Sequence, residues 1–236
     1  MKDKSSTKKF KSVAYDLSRI GEWWLLSFGL ILLAFVTPIY WANRYRFAIG
    51  DLTGLFTSPP LYLALVVVFA AQIFLFANND YFDRHIDALD KKKRHRNPIC
   101  TGRVTTKEVW ALIVVSGIVS LVASLYFGFL TFLFTAFTLF VFYFYTAEPL
   151  RFKNKVGLDV LTHGMLINTF PYFFCLIALR DFSAGTVFFL VILMMRSAMA
   201  QILQEIRDHE VDKKIERNTV VALGQKRGAW VVFTMN

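Results

Sequence analysis

Asn79, Asp80, Asp83 and Asp87 stand where an apolar run, Leu61 to Ala77, gives way to the basic cluster Lys91 to Arg96. On an α-helix, at about 100° per residue, the three aspartates fall within roughly 60° of one another. Carboxylates on one stripe repel unless a cation lies between them. Ionisable groups beside a long apolar run are costly and point to function. A second acidic segment, Glu205-Ile-Arg-Asp208-His-Glu-Val-Asp212, follows a later apolar run. Asp208 and Asp212 are four residues apart and share a helical face. Two such groups facing each other suit divalent cations. Magnesium prefers a few carboxylates completed by water and phosphate oxygens. Lysine and arginine alongside suit the remaining phosphate charge, arginine bidentately. The whole set reads as a diphosphate clamp facing a greasy interior, fitted to a molecule with a diphosphate head and a hydrocarbon tail.

The elements that must hold these residues are membrane spans. The 236-residue chain is 56% hydrophobic with 25 phenylalanines, and its charge lies between apolar blocks rather than along amphipathic faces. Blocks of about 20 uncharged residues predict an all-α, polytopic transmembrane bundle. Spans are expected at 22–41, 61–78, 109–127, 129–145, 158–179 and 184–204, with a seventh beginning near Ala229. Gly128 makes the third and fourth spans an antiparallel hairpin.

The net charge of +10 is distributed by loop. Lys2, Lys4, Lys8, Lys9, Lys11 and Arg19 precede the first span, and Lys91 to Arg96 follow the second. Arg151, Lys153 and Lys155 follow the fourth; Lys213, Lys214, Arg217, Lys226 and Arg227 follow the sixth. The alternate loops hold Arg44 and Arg46, then none, then Arg180. This positive-inside pattern places the N-terminus and both acidic clusters in the cytoplasm and makes nucleic acid a poor partner. The first apolar stretch is long enough to span, so a first helix is favoured over a cleaved signal peptide. Cys100 falls in a loop and Cys175 within the fifth span, which supports neither a disulfide nor a cysteine metal site.

The flanks of the two acidic clusters resemble each other. Asp90-Lys91-Lys92 lies 122 positions before Asp212-Lys213-Lys214, Gly102 lies 122 before Gly224, and Arg96-Asn97 and Arg217-Asn218 nearly keep that offset. A faint internal duplication, with one acid cluster per half, is the reading.

The residues Asn79-Asp80-Tyr-Phe-Asp83-Arg-His-Ile-Asp87 resemble the NDxxDxxxD pattern of UbiA-type intramembrane prenyltransferases. Asp208-His-Glu-Val-Asp212, followed by Thr219-Val-Val-Ala-Leu-Gly224, is similar to their second motif. Tyr145-Thr-Ala-Glu-Pro149-Leu-Arg151-Phe-Lys153 looks like the tyrosine-and-basic motif after their fourth helix. The resemblance implies a helical bundle whose motifs cap a cavity open to the membrane. It implies Mg2+ held by Asp80, Asp83, Asp208 and Asp212, with Asn79 and Asp87 helping. Asn79, Arg94, Arg96, Arg151 and Lys153 are then candidates for binding the diphosphate, and Tyr145 joins the catalytic set. An isoprenyl group would pass from an allylic diphosphate to a hydrophobic acceptor, either a lipid, a carotenoid or an aromatic quinone precursor. The implied organisation is a basic cytoplasmic segment, 1–21, and a prenyltransferase-like membrane domain, 22–236, in the plasma membrane by default. Two departures stand out. The family's Arg-Pro after the first motif appears as Asn97-Pro98, and the family has about nine spans where this chain reaches the start of a seventh. A C-terminally incomplete domain is therefore expected. A cation-coupled transporter and a catalytically incompetent lipid-binding fragment are the alternatives.

Other polar residues receive plainer expectations. His85 and His209 point away from the acidic stripes. His163 and Asp159, at the start of the fifth span, either pack or reach the head group. Gln72 and Gln201 bond between helices or line a pocket, Arg196 requires a partner or a polar cavity, and most aromatic residues from Phe132 to Phe144 face lipid or pack.

Overall fold

The structure, a computed structural model, describes residues 15–42 and 49–235; Lys2 to Lys11, Arg44 and Arg46 of the charge pattern lie outside them. It is a helical bundle. The long elements are α1 (Ile20–Ala42), α3 (Pro59–Asp87), α5 (Thr106–Ser124), α6 (Phe129–Thr146) and α9 (Ala184–Asp212). Among the described residues, five helices are long and apolar enough to cross a membrane. Shorter pieces are α2 (Ile49–Phe56), α4 (Lys91–Arg96), α7 (Leu158–Thr162), α8 (Phe170–Leu179), α10 (Thr219–Leu223) and α11 (Gln225–Met235). The protein is an integral membrane protein.

Helix length places the acidic motifs. Ser58 in an extended conformation, with Pro59 next, starts α3 where a proline's missing N–H costs nothing. Its 29 residues rise about 43 Å, against about 30 Å of hydrocarbon. About 20 residues suffice to cross, so Asn79 to Asp87 emerge as a rigid extension of the span. The 29-residue α9 does the same for Asp208 and Asp212.

Local chemistry explains the boundaries. Thr105 and Glu108 form a reciprocal capping box at the start of α5. A 3-10 turn, Leu125–Phe127, leads into Gly128, whose φ of 103° and ψ of 170° lie in a region reserved for glycine. The expected tight hairpin between α5 and α6 is present. Ser120 Oγ donates to the Val67 carbonyl at 3.0 Å. A Cβ at Gly117 would lie 3.2 Å from the Phe74 ring, so α5 packs close against α3. Asn78 Nδ2 donates to the carbonyls of Phe142 (3.2 Å) and Tyr143 (3.0 Å), fixing α3 against α6.

The expected continuous fifth span, 158–179, is broken. It consists of α7, a π-helical turn at His163–Ile167, and α8. Pro171 has no N–H to give to the Ile167 carbonyl four residues back. That carbonyl instead accepts from Gln72 Nε2 at 3.3 Å, which makes Gln72 the interhelical hydrogen bonder expected of it. The final helix, α11, starts at Gln225 rather than near Ala229, and Gly228 lets it approach Val220 and Ile206.

Candidate active site

The motif-bearing ends of α3 and α9 enclose a cavity of about 430 Å³. Asn79, Asp83 and Asp87 line it from α3, and Glu205, Asp208 and Asp212 from α9. Lys93, Arg96 and Lys153 bring positive charge, Tyr145 and Thr146 close one side, and Leu75, Phe76 and Ile167 line its apolar part. The other aromatic residues of α6 do not contribute to the lining. His85, His209 and Arg196 are also absent from it, and Arg196 is exposed. Both cysteines are free.

The remaining candidate residues, Asp80, Arg94 and Arg151, stand apart from the lining for different reasons. Asp80 is fully buried behind the cavity wall. Its Oδ1 pairs with Arg19, which does line the cavity, while its Oδ2 has no hydrogen-bond partner. Arg19 belongs to the segment set aside as a basic tail, yet it is 14% exposed and its φ of 47° turns the chain into α1. Arg94 is exposed on α4. Its neighbour Lys93 faces the cavity instead, 3.8 Å from Asp212. Arg96 lines the cavity and pairs with Glu22. Arg151 stands behind the wall, 3.4 Å from Asp83 and 3.6 Å from Glu216.

Lys153 joins the two motif regions. Its Nζ lies 2.8 Å from Asp83 and 2.7 Å from Glu216, which follows α9. Burial by itself would lower the Lys153 pKa, but the two carboxylates outweigh burial and hold it above its ordinary value. Burial pushes Glu216 upward, and Lys153 and Arg151 overcome that and hold it below. Glu216 carried no sequence signal because no spacing rule links it to Asp83.

Two buried asparagines orient one carboxylate in each half. Asn97 Nδ2 donates to Asp87 Oδ2 at 2.8 Å and to the Asp80 carbonyl at 2.9 Å. Asn218 Nδ2 donates to Asp212 Oδ2 at 3.0 Å. Each asparagine oxygen accepts a following backbone N–H, from Ile99 (3.0 Å) and Val221 (2.8 Å) respectively. The residue that departs from the family's Arg-Pro pattern is thus a clamp, and its near repeat 121 positions later does the same work. Asp159 and Glu205 hold the start of α10: Asp159 accepts from Thr219 N and Oγ1 (both 2.5 Å), and Glu205 accepts from Val220 N (3.1 Å).

The donor set suits magnesium. It consists of hard carboxylate oxygens on two facing helices, with a buried Asp80 Oδ2 lacking any partner. Among the described residues no three acidic, histidine or cysteine groups converge tightly enough to hold an ion alone.

Residues 35–235 match the UbiA prenyltransferase family. The chain belongs to that family. This UbiA-family prenyltransferase is 26% identical over 201 residues to the digeranylgeranylglyceryl phosphate synthase of Korarchaeum cryptofilum (strain OPF8), covering 82% of this chain and 69% of the relative. Its fold is similar to that of a UbiA homologue from Archaeoglobus fulgidus bound to GPP and Mg2+, with TM-score 0.73 and 21% identity, over 94% of this chain and 73% of that one. The same homologue bound to DMAPP and Mg2+ gives TM-score 0.71 at 21% identity, over the same shares.

Proposed function

We propose that this UbiA-family member moves an isoprenyl group from an allylic diphosphate to a lipid hydroxyl, with Mg2+ as cofactor. One observation carries the reading. Carboxylates of both motifs, on separate helices, line a single cavity together with Lys93, Arg96 and Lys153, and that cavity continues into apolar wall. A diphosphate needs the first part and a hydrocarbon tail the second.

Asp83, Asp87, Asp208 and Asp212 would hold the metal, with Asn79 alongside and Asp80 supporting from behind. Bound magnesium supplies Lewis acidity to the leaving diphosphate oxygen. Lys153, Lys93, Arg96 and Arg19 balance phosphate charge, with Arg151 behind them. Tyr145, on the cavity wall, would offer its ring to the positive charge that develops on the allylic carbon. The bound GPP, DMAPP and Mg2+ of the A. fulgidus homologue support the donor class. The name of the K. cryptofilum relative supports a glyceryl phosphate lipid as acceptor. The loop charges support a cytoplasmic site in the cell membrane, with residues 22–236 as the catalytic domain and Arg19 reaching into it.

The test uses purified protein in lipid nanodiscs with a radiolabelled allylic diphosphate, an alkylglycerol phosphate and Mg2+. A lipid-soluble product that disappears with EDTA is expected, as is its loss in Asp83→Ala and Asp208→Ala. Full turnover in either variant sinks the clamp.

A further inference from the structure

The break in the fifth span has a built geometry. Opening a helix at membrane depth frees backbone carbonyls that lipid cannot satisfy, and π-turns are often found at functional sites. Here three side chains from three helices or their flanks donate to backbone carbonyls of the turn. Ser197 Oγ of α9 donates to the His163 carbonyl at 3.0 Å. Thr169 Oγ1 donates to that of Gly164 at 3.2 Å, and Gln72 Nε2 of α3 to that of Ile167 at 3.3 Å. A Cβ at Gly164 would lie 3.2 Å from the Met194 carbonyl and the Ala198 side chain, so the turn is pressed against α9. The outcome of this arrangement is that His163 and Asn168 line the cavity that holds both acidic motifs.

The hydrogen bonds also set the tautomer of His163. Ser197 Oγ lies 3.3 Å from His163 Nδ1 as well as 3.0 Å from the His163 carbonyl. A hydroxyl has one proton and a carbonyl only accepts, so both contacts are hydrogen bonds only when that proton goes to the carbonyl. Ser197 Oγ then accepts from Nδ1, which must carry the ring proton. The neutral imidazole is left with its lone pair on Nε2.

We propose that His163 Nε2 is the proton acceptor for a hydroxyl-bearing acceptor lipid, and that Ser197 is the positioning residue that holds it in that tautomer. This rests on the prenyl-transfer reading. In the step, the carbon–oxygen bond to diphosphate breaks first, its electron pair leaving with diphosphate, and the acceptor oxygen then bonds to the allylic cation, which water captures where transfer fails. The hydroxyl proton passes to Nε2, and the product is an ether.

The experiment separates donor cleavage from transfer. Protein in nanodiscs is given a labelled allylic diphosphate and Mg2+, with or without an alkylglycerol phosphate bearing one free hydroxyl. Diphosphate release and ether product are both measured. His163→Ala and His163→Asn, each checked for unaltered thermal unfolding, are expected to lose ether formation by roughly 10²–10⁴-fold while keeping Mg2+-dependent diphosphate release. Imidazole added to His163→Ala restores ether. Ser197→Ala lowers ether formation and Ser197→Thr recovers it. Undiminished ether in folded His163 variants overturns the assignment, and so does an equal loss of diphosphate release. Wild-type protein that releases no diphosphate overturns prenyl transfer itself, and the assignment with it.

Discussion

The contact between Lys153 and Glu216 should behave as a buried ion pair joining the two motif regions. Both side chains are 13% exposed, and Lys153 also serves Asp83. Removing one partner of a buried pair costs about 3–5 kcal/mol, chiefly through the charge left behind. Arg151 remains 3.4 Å from Asp83 and 3.6 Å from Glu216 and takes over part of that charge. Lys153→Met should therefore cost about 2–4 kcal/mol, and Glu216→Gln about 1–3 kcal/mol. The double variant should be more stable than the sum by about 0.5–3 kcal/mol, the range for residues in one network. The assay is a double-mutant cycle by equilibrium unfolding in mixed detergent micelles. Additivity within about 0.5 kcal/mol would place the pair with weak surface contacts and refute the reasoning. The pH dependence follows from the directions of the shifts. Glu216 is held below its ordinary 4.5, so its contribution is present above that pH and is lost as pH falls beneath it. Lys153 is held above its ordinary 10.5, so its contribution is present below that pH and is lost on further rise. Stability from this pair should be level between about pH 5 and 10. Glu216→Gln should lose the part of the acid limb that belongs to this pair.

Asn97→Asp replaces an amide donor with a charge facing Asp87 and should raise the Mg2+ concentration for half-maximal turnover by roughly 10–100-fold; an unchanged Mg2+ titration would contradict the clamp. Asn218→Asp should do the same through Asp212. Gly128→Ala, at φ 103°, should destabilise the α5–α6 hairpin by about 1–3 kcal/mol, read by the same unfolding assay. Asn78→Leu breaks the α3–α6 contact and should cost about 0.6–1.7 kcal/mol, the span measured for hydrogen bonds inside membranes. Arg19→Ala should weaken binding of the allylic diphosphate in a direct binding measurement, whereas an unaltered affinity would confine Arg19 to supporting Asp80.

Much of this protein was legible from local pattern. Charge-free blocks are long enough to define spans without knowledge of their neighbours, because the bilayer fixes the required length. Helical periodicity put Asp83 with Asp87, and Asp208 with Asp212, since those residues lie within one or two turns on a continuous helix. Gly128 announced its own turn. What the periodicity of α3 could not show is which carboxylate would be solvated. Asp80 shares the stripe but is buried against Arg19, a residue 61 positions earlier. The choice of Lys93 over Arg94 at the cavity depends on how α4 sits on the bundle, and neighbouring residues on a helix point about 100° apart. Glu216, Asn97 and Asn218 gain their roles from loops folding back onto helix ends. The broken fifth span was half legible: Pro171 marks the missing N–H, but only the packing of α3 and α9 supplies the side chains that let the turn open there. Sequence alone determined five helices long and apolar enough to cross a membrane and which of them carry the acids, because length, hydropathy and spacing along a helix are local properties. Tertiary structure decided which charges meet, because a buried charge is settled by whatever distant group packs against it.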